Sequence, residues 1–532
     1  MAATLSPFLA SWLAALSAIL AAGDSETLAL FFNVDARLSK ATIQLRQDVT
    51  QYSRPDEDAE ADAIRVIIDP NEQWSSIVRM VHGYIQYVRS LDADIGLAQR
   101  FDRLLKFLNA VSSAADNNSG AVLNRLVLNG AKHLTRLGII CDNLRNDGSL
   151  QYTEQAHSVV QKLFNVSLKG VRIPHELGKR ETSVGIINCL FKLNSKMGRV
   201  GSMTTIIINL QNVLPSITIT SDTHFSTAQR CTYAYFIGIE CFQNAQFLKA
   251  ATSFQESFDL CHPSFLRNRR KILIHLVTSN VIIGRFPSQT LYSLPEAAQF
   301  RDVFTPIVIA IKLGNFSSFE RALLRSKKWL VHFGVFHDLE IRCETLIWRN
   351  LIKNVFAVSG NTTKSGIESI GLDKIYEASR ILRANLNPRV TGITQHGKAD
   401  FSERFKESSV LSIVLGLIDN GWFNGYVNLE KGMLAGWSSK SRLVTRLADV
   451  RNQYVGMLWG GERGSGVTEK EITGDEKGEK SGASNTVVPN TAAISNPPVF
   501  GGFGFGAFGP TNGNRGGGGY ATDPGDDTEM EF

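Results

Sequence analysis

Apolar residues recur at spacings of three and four over most of the chain, which is the pattern of amphipathic helices. No strand-like alternation competes with this repeat between residues 120 and 213. Residues 203–213 are rich in β-branched side chains, but their length and position favour a further helix. Apolar positions that mark the repeat include Leu123, Leu126, Val127, Val159, Val160, Leu163 and Phe164. The pattern therefore predicts a mainly α-helical fold.

The stretch from residue 224 to residue 358 organises the rest of the chain. Its clearest part, FSTAQRCTYAYFIGIECFQNAQFLKAATSFQESFDLCHP, follows the tetratricopeptide spacing. The matching positions are Ile237, Gly238, Phe247, Ala250 and Phe254. This spacing predicts two antiparallel helices, because Gly238 lets the backbones approach and Ala250 fits beneath it. One pair cannot cover its own apolar face, so neighbouring pairs must continue the stack.

Further helix pairs continue the repeat to about Gly334. One begins at Asn268 and stops before Pro287. Another is formed by AAQFRDVFTPIVIAIKLGN and FSSFERALLRSKKWLVHFG, with Gly314 in the turn between them. Residues 340–358 then predict one long amphipathic helix that joins this solenoid to a cap.

The pattern of the cap differs from that of the solenoid. Residues 369–386 and 408–419 predict two short helices, and the strands GYVNL and MLAGW follow with a turn at residues 430–432. Three helices and a hairpin are the order of a winged helix. Residues 387–407 are then a loop insertion within it.

The end of the chain has no periodicity and is rich in Gly, Ser, Asn and acidic residues, so we expect a disordered tail. Its Phe-Gly pairs begin at Phe500, Phe503, Phe505 and Phe508. The predicted organisation is N-terminal helical repeats (1–222), a helical solenoid (223–345), a winged helix (346–440), a C-terminal helix (441–459, with its pattern at 441–458) and the tail (460–532).

Charge is distributed unevenly along the chain. The net charge is +6, yet the tail is acidic and residues 101–459 carry a large positive surplus. Such a surplus suits nucleic acid or an acidic protein partner. The acidic run DEDAEAD, residues 56–62, is interpreted as a solvated linker.

The cysteines and the N-terminal segment indicate the environment of the chain. The six cysteines lie in apolar helical patterns without CxxC spacing, so we expect buried, reduced thiols.

Residues 5–22 are apolar, but no basic residue precedes them and three serines interrupt them. A core helix is therefore favoured over a signal or anchor segment, and we expect no membrane insertion.

Motifs for catalysis are incomplete. GERGSGVT nearly spells a phosphate-binding loop, but Val467 stands at the lysine position. His332 and His337 are five residues apart and do not share a helix face for metal, and His262 follows Cys261 at a helix end. No Ser, Cys or carboxylate has recognisable partners. We therefore expect a protein that is not an enzyme and that needs no cofactor or metal.

Basic residues carry the functional signal of the cap. The third helix of the winged helix, SSVLSIVLGLID, has no basic residue, so sequence-specific base reading is not expected from it. Cations around it are candidates for phosphate contacts, with ordinary solvated charges as the alternative. These candidates are Lys406, Lys431, Lys440, Arg442 and Arg446.

Two further groups are candidates for contact with a partner. A basic cluster at a helix start opposes the helix dipole, so a partner carboxylate or phosphate would relieve it. Its members are Arg267, Arg269, Arg270 and Lys271.

Three aromatic residues either complete the winged-helix core or project to a partner subunit. They are Trp422, Phe423 and Tyr426.

Five segments between residues 225 and 436 resemble the PCI domain, named for the proteasome lid, the signalosome and an initiation factor. They are STAQRCTYAYFIGI, RNRRKILIHLV, LGNFSSFERAL, IWRNLIKNV and LIDNGWFNGYV. They are similar to the branch of that family working in messenger-RNA export. The resemblance implies a solenoid capped by a winged helix, in a subunit of the nuclear-pore-associated TREX-type transcription-and-export complex.

The same resemblance implies the partners. It implies pairing with a GANP-type PCI scaffold, support from a small acidic proteasome-lid protein, and a basic surface for RNA or DNA. The Phe-Gly tail would meet pore transport factors. A signalosome-associated adaptor is the alternative within the family, and an enzyme hidden in the N-terminal helices is the alternative from another class.

Overall fold

The structure, a computed structural model, describes residues 6–34, 39–51, 57–70, 73–91, 96–145, 147–169, 177–199, 201–214, 219–364, 366–384, 407–437, 442–447 and 450. These residues are mainly helical, which confirms the predicted fold class. They divide into two compact units. The first comprises Met1–Glu240 with Glu256–Cys261, and the second comprises Cys241–Gln255 with the chain from His262.

The N-terminal part is built of helices joined by short connections. They are α1 (Pro7–Ala22), α2 (Ser25–Phe31), α3 (Lys40–Gln51), α4 (Glu57–Ile68), α5 (Ser75–Arg89), α6 (Leu97–Ala115), α7 (Asn124–Arg145), α8 (Gln151–Leu168), α9 (Ser183–Met197) and α10 (Gly201–Val213). The β-branched stretch at residues 203–213 thus lies in a helix, as predicted.

Helix α1 belongs to the core of the first unit. Ser6 caps it by accepting a hydrogen bond from the backbone N–H of Leu9 at 3.0 Å. Leu13 and Leu16 are fully buried, as the core-helix interpretation expected. Among the described residues, no helix has the length and apolar character needed to cross a membrane.

Successive helix pairs in this unit stack with a constant offset. Lys162 on α8 donates to Asn109 on α6 at 3.0 Å, and Lys196 on α9 donates to Asn143 on α7 at 2.8 Å. Each of these hydrogen bonds spans 53 residues. The pair α8–α9 therefore repeats the placement of the pair α6–α7, as a helical solenoid requires.

The acidic run at residues 56–62 is not a linker, because α4 begins at Glu57. Glu60 is buried and pairs with Arg89 at 2.6 Å and with His82 at 3.3 Å. Burial alone would raise the pKa of Glu60, but hydrogen bonds from His82 and Arg89 outweigh it and hold that pKa below its ordinary value. The prediction failed because the partners of Glu60 lie more than twenty residues away in sequence.

The predicted antiparallel pair is present as α11 (Thr227–Gln243) and α12 (Phe247–Leu260). Near the start of α11, the Cys231 carbonyl accepts from the hydroxyl of Ser257, near the end of α12, at 3.0 Å. Phe247, Ala250 and Phe254 are fully buried. The six cysteines are also buried, as expected.

The second unit continues with more helices and then a small sheet. The helices are α13 (Leu266–Ile282), α14 (Phe300–Leu313), α15 (Phe316–Arg325), α16 (Lys327–His332), α17 (Phe336–Arg342), α18 (Glu344–Ser359), α19 (Leu372–Ala384) and α20 (Glu407–Asp419). The strands are β1 (Asn361–Thr362), β2 (Glu368–Gly371), β3 (Gly425–Asn428) and β4 (Met433–Gly436).

Helix α18 packs against the C-terminal end of α14. The Asn350 side chain donates to the carbonyl of Ile311 at 2.9 Å, which satisfies one of the last carbonyls of α14. Gly314 then turns the chain in the left-handed conformation, with φ of 69°. A Cβ at Gly314 would lie 2.5 Å from the backbone of Leu351. The turn predicted at Gly314 is therefore present, and only glycine fits it.

The long helix predicted at residues 340–358 is interrupted. Helix α17 ends at Arg342 and α18 begins at Glu344, with buried Cys343 between them. Similarly, Ser326 separates α15 from α16. The apolar periodicity continues across both breaks, so it could not reveal them.

The cap is a winged helix built on a four-stranded antiparallel sheet of order β1-β2-β4-β3. The predicted hairpin is confirmed as β3–β4. Residues 369–371 were assigned wrongly to a helix, because Ser369 and Ile370 pair with Ala435 and Leu434 of β4. The sequence missed β2 because its pairing partner lies about 65 residues further along the chain.

The segment after the wing does not begin as a helix. Val444 forms an antiparallel bridge with Phe423, and the N–H of Thr445 donates to the carbonyl of Trp422 at 3.2 Å. The helix predicted from residue 441 is therefore wrong at 442–446, where the chain extends the sheet instead. Most of that predicted helix, the tail and the 387–407 insertion lie outside the described residues, except that Glu407 begins α20.

Substitution of Gly314 by alanine should destabilise the second unit more than the same substitution at Gly334. Both glycines have φ near 70°, so both variants incur about 1–2 kcal/mol of left-handed strain. Only at Gly314 does the new Cβ meet backbone, which should add about 1–3 kcal/mol. Thermal unfolding of the two variants measures the difference, and equal melting temperatures would contradict the packing of α14 against α18.

Candidate nucleic-acid and partner interface

The winged helix positions two of the predicted aromatic residues in its own core. Trp422 and Phe423 follow α20 directly, and each is 2% exposed. Residues 442–447, which we call the post-wing segment, lie beside both rings. The N–H of Thr445 donates to the carbonyl of Trp422, and Val444 forms a bridge with Phe423. These two rings therefore take the core role that the sequence left open, and they are not exposed to a partner.

Tyr426 lies on the outward face of the wing. It pairs with Ala435 across the hairpin, and Trp437 lies two residues beyond Ala435 on the same face. The two rings contact each other with centroids 5.0 Å apart. Tyr426 is 39% exposed and Trp437 is 63% exposed, whereas Leu434 on the opposite face is fully buried. We call Tyr426 and Trp437 the wing aromatic pair.

Trp437 was not among the predicted site residues, although the alternation of its strand indicates that it faces away from the core. The strand MLAGW alternates with period two, which places Trp437 opposite in direction to Leu434. At the wing turn, Leu429 is 71% exposed. The hairpin thus carries large apolar groups into solvent, a feature typical of interaction sites when such groups are contiguous.

Helix α20 occupies the position of a recognition helix but offers no cation. Val410, Val414 and Leu417 are buried against the rest of the cap, and Leu415 is 44% exposed. Its described side chains include no Lys or Arg. Its exposed face carries one apolar residue beside polar ones and no described cation, so it does not suit contact with phosphates.

The predicted phosphate contacts are not gathered into one patch. Lys431 is exposed in the wing turn, where its N–H donates to Asn428 at 3.1 Å. Arg442 is also exposed. It lies at the other end of the hairpin, where the carbonyl of the next residue accepts a hydrogen bond from the N–H of Asn424. Arg446 is also exposed. Lys406 and Lys440 lie outside the described residues.

The basic cluster at the start of α13 is partly neutralised within the chain. Arg269 forms a buried ion pair with Glu296 at 2.7 Å. Arg270 donates to the side chain of Gln299 at 3.0 Å. The carboxylate that this cluster requires is therefore supplied to Arg269 from the same unit, and Arg269 is not available to a partner. Arg267 is exposed and Lys271 is half-buried.

Comparison with known proteins points to one family name. No protein-family model matches the chain. The chain is 28% identical over 205 residues to PCI domain-containing protein 2 of Danio rerio, which is 38% of this chain and 48% of that protein. The chain is similar to PCI proteins.

Two other relatives agree with this similarity. A PCI domain-containing protein of Schizosaccharomyces pombe is 23% identical over 369 residues, covering 66% of this chain and 76% of the relative. Protein CSN12 homolog of Gibberella zeae is 26% identical over 207 residues, covering 38% and 44%. The chain spans about half the length of most curated relatives it matches. These names support the PCI resemblance drawn from the sequence.

The two tryptophans of the PCI-like cap should respond differently to truncation. Trp422→Ala should cost about 3–5 kcal/mol of stability, because it empties a buried site. Trp437→Ala should cost roughly 0.5 kcal/mol, because the side chain is mostly solvated. Urea unfolding of both variants checks this, and a similar loss in the two would show that Trp437 is a core residue.

Proposed function

We propose that the chain is a non-catalytic scaffold subunit that pairs through its winged helix with another PCI protein. The observation that carries the proposal is the wing aromatic pair, Tyr426 and Trp437, whose rings contact each other and are exposed on the outward face of the sheet. Exposed Tyr and Trp are the residues most enriched in binding hot spots.

The specific setting that we propose follows the sequence resemblance. The partner is a GANP-type PCI scaffold, with a small acidic proteasome-lid protein at the joint. The assembly is nuclear, associated with the pore, and acts in transcription-coupled export of messenger RNA. Relatives named PCI domain-containing protein 2 support the family part of this proposal. The tail, with its Phe-Gly pairs, would meet pore transport factors.

Nucleic-acid binding is the second part of the proposal. Lys431, Arg442 and Arg446 are exposed around the wing, and the sequence between residues 101 and 459 is strongly basic. Because α20 has no described cation, binding is to backbone phosphates and has little sequence preference. The assembled pair forms the platform that holds RNA or DNA.

A signalosome-associated adaptor is the second candidate function. The relatives named Protein CSN12 homolog favour it. In that function the same surfaces recruit other PCI subunits, and nucleic-acid binding is incidental. Affinity purification of the tagged chain separates the two candidates. Recovery of a GANP-type scaffold with pore proteins supports export, whereas recovery of signalosome subunits alone contradicts it.

Replacing the wing aromatic pair should weaken pairing without unfolding the chain. Tyr426→Ser with Trp437→Ser removes two exposed rings, so we expect binding to a GANP-type PCI partner to fall about 10- to 1,000-fold. The control is Ile140→Ser with Leu144→Ser, which removes exposed apolar groups from α7 in the other unit. Titration calorimetry measures both. Equal affinity of the two double variants would contradict pairing through the wing.

Charge reversal around the wing should weaken nucleic-acid binding by the assembled pair and leave assembly intact. Lys431→Glu with Arg442→Glu places two repulsive charges beside phosphates, and the loss should be largest at low salt. Fluorescence anisotropy with labelled RNA measures the affinity, and gel filtration measures assembly. Unchanged affinity at low salt would exclude the wing as a contact.

A further inference from the structure

Three separate parts of the second unit meet at the end of α13. A Cβ placed on Gly284 would lie 3.0 Å from a methyl carbon of Leu447 and 3.4 Å from one of Leu346. The loop after α13, helix α18 and the post-wing segment therefore touch at this point. Arg285 is the next residue after Gly284, and Arg446 precedes Leu447, so the two arginines flank this contact.

The end of α14 joins the same place. The Asn354 side chain of α18 donates to the carbonyl of Lys312 at 3.1 Å. The Lys312 ammonium lies 5.1 Å from the ring centroid of Phe286, which follows Arg285. Lys353 is adjacent to Asn354 on α18 and is exposed. The four cations Arg285, Lys312, Lys353 and Arg446 form what we call the junction cluster.

The segments that build the junction cluster contain no acidic residue. Residues 281–295, 303–319, 345–363 and 442–447 include neither Asp nor Glu. Within the part of the chain that the structure describes, Arg285, Lys312 and Lys353 form no ion pair with a carboxylate. This differs from the cluster at the start of α13, where Glu296 neutralises Arg269.

A buried arginine of α18 contacts the residue that precedes Arg446. Arg349 is 5% exposed and donates to the carbonyl of Thr445 at 2.6 Å and to Asn350 at 3.1 Å. Its Nε has no hydrogen-bond partner among the described residues. Burial lowers the pKa of Arg349 to about 10 and also lowers the pKa of Arg285. A buried cation without a counter-charge is costly, so an anion above it would stabilise the site.

We propose that the junction cluster binds backbone phosphates of nucleic acid, as a contact separate from the wing tip. Arginine presents forked donors that match phosphate oxygens. Lys353 lies seven residues along α18 from Leu346, which is about 10 Å of helix and enough for successive phosphates. The post-wing segment also carries Arg442, so the cluster continues the surface already proposed. The inference rests on the proposed nucleic-acid platform and names a second part of it.

The test removes three charges and measures the salt dependence of binding. Arg285→Gln, Lys312→Gln and Lys353→Gln are combined in the full chain. The control combines Arg103→Gln, Lys132→Gln and Arg136→Gln, which removes three exposed cations from helices of the other unit. Probes are a uridine homopolymer, a thymidine homopolymer and a DNA duplex. Thermal unfolding confirms that both triple variants are folded.

The expected result is a flatter salt dependence for the junction variant alone. Losing three phosphate contacts should reduce the slope of log affinity against log salt by about 2–3, with at least about a tenfold loss of affinity.

The probes identify the source of the phosphates. A preference for the uridine probe over both DNA probes identifies RNA, and equal losses on all probes identify the phosphate backbone in general.

Three outcomes would overturn the inference in distinguishable ways. An unchanged slope, or the same change in the control, excludes the junction cluster while leaving the wing in place. Loss of partner pairing with unchanged nucleic-acid affinity assigns the cluster to an acidic protein surface instead. Absence of nucleic-acid binding by the unsubstituted chain, alone and with its partner, contradicts the platform itself.

Discussion

The packing of α18 against both of its neighbours is the constraint on which the second unit depends. On one side, Asn350 reaches the carbonyl of Ile311, and Leu351 leaves room only for a glycine at position 314. On the other side, buried Arg349 holds the carbonyl of Thr445 in the post-wing segment. One helix therefore completes the last helical pairs and begins the winged helix, so that the two parts are held as a single folded body.

This arrangement explains why the proposed contacts of the cap lie on its surface. Because the post-wing segment covers Trp422 and Phe423, the apolar core of the cap is closed, and the aromatic residues left to solvent are those on the outward face of β3 and β4. The same segment begins at Arg442, and its Arg446–Leu447 end reaches the end of α13. The proposed pairing and the proposed phosphate binding therefore use different side chains of the cap.

The sequence was sufficient for features whose signal is local. Periodicity identified the helix pairs, the turn at Gly314 and the wing hairpin, because each depends on residues close together in the chain. It failed where partners are distant: β2 pairs with β4, Glu60 with Arg89, and Arg269 with Glu296. The junction cluster was invisible for the same reason, since each of its segments supplies only one or two cations.

Native-state hydrogen exchange is the most direct test of the role of α18. If this helix unites the last helical pairs with the cap, the most protected amides of α14, α18 and β4 should open with one common free energy. As denaturant is added in small steps, this free energy should fall by the same amount in all three elements. If the amides of β4 exchange through a lower-energy opening while those of α14 and α18 remain protected, the winged helix is a separate folding unit and the account is contradicted.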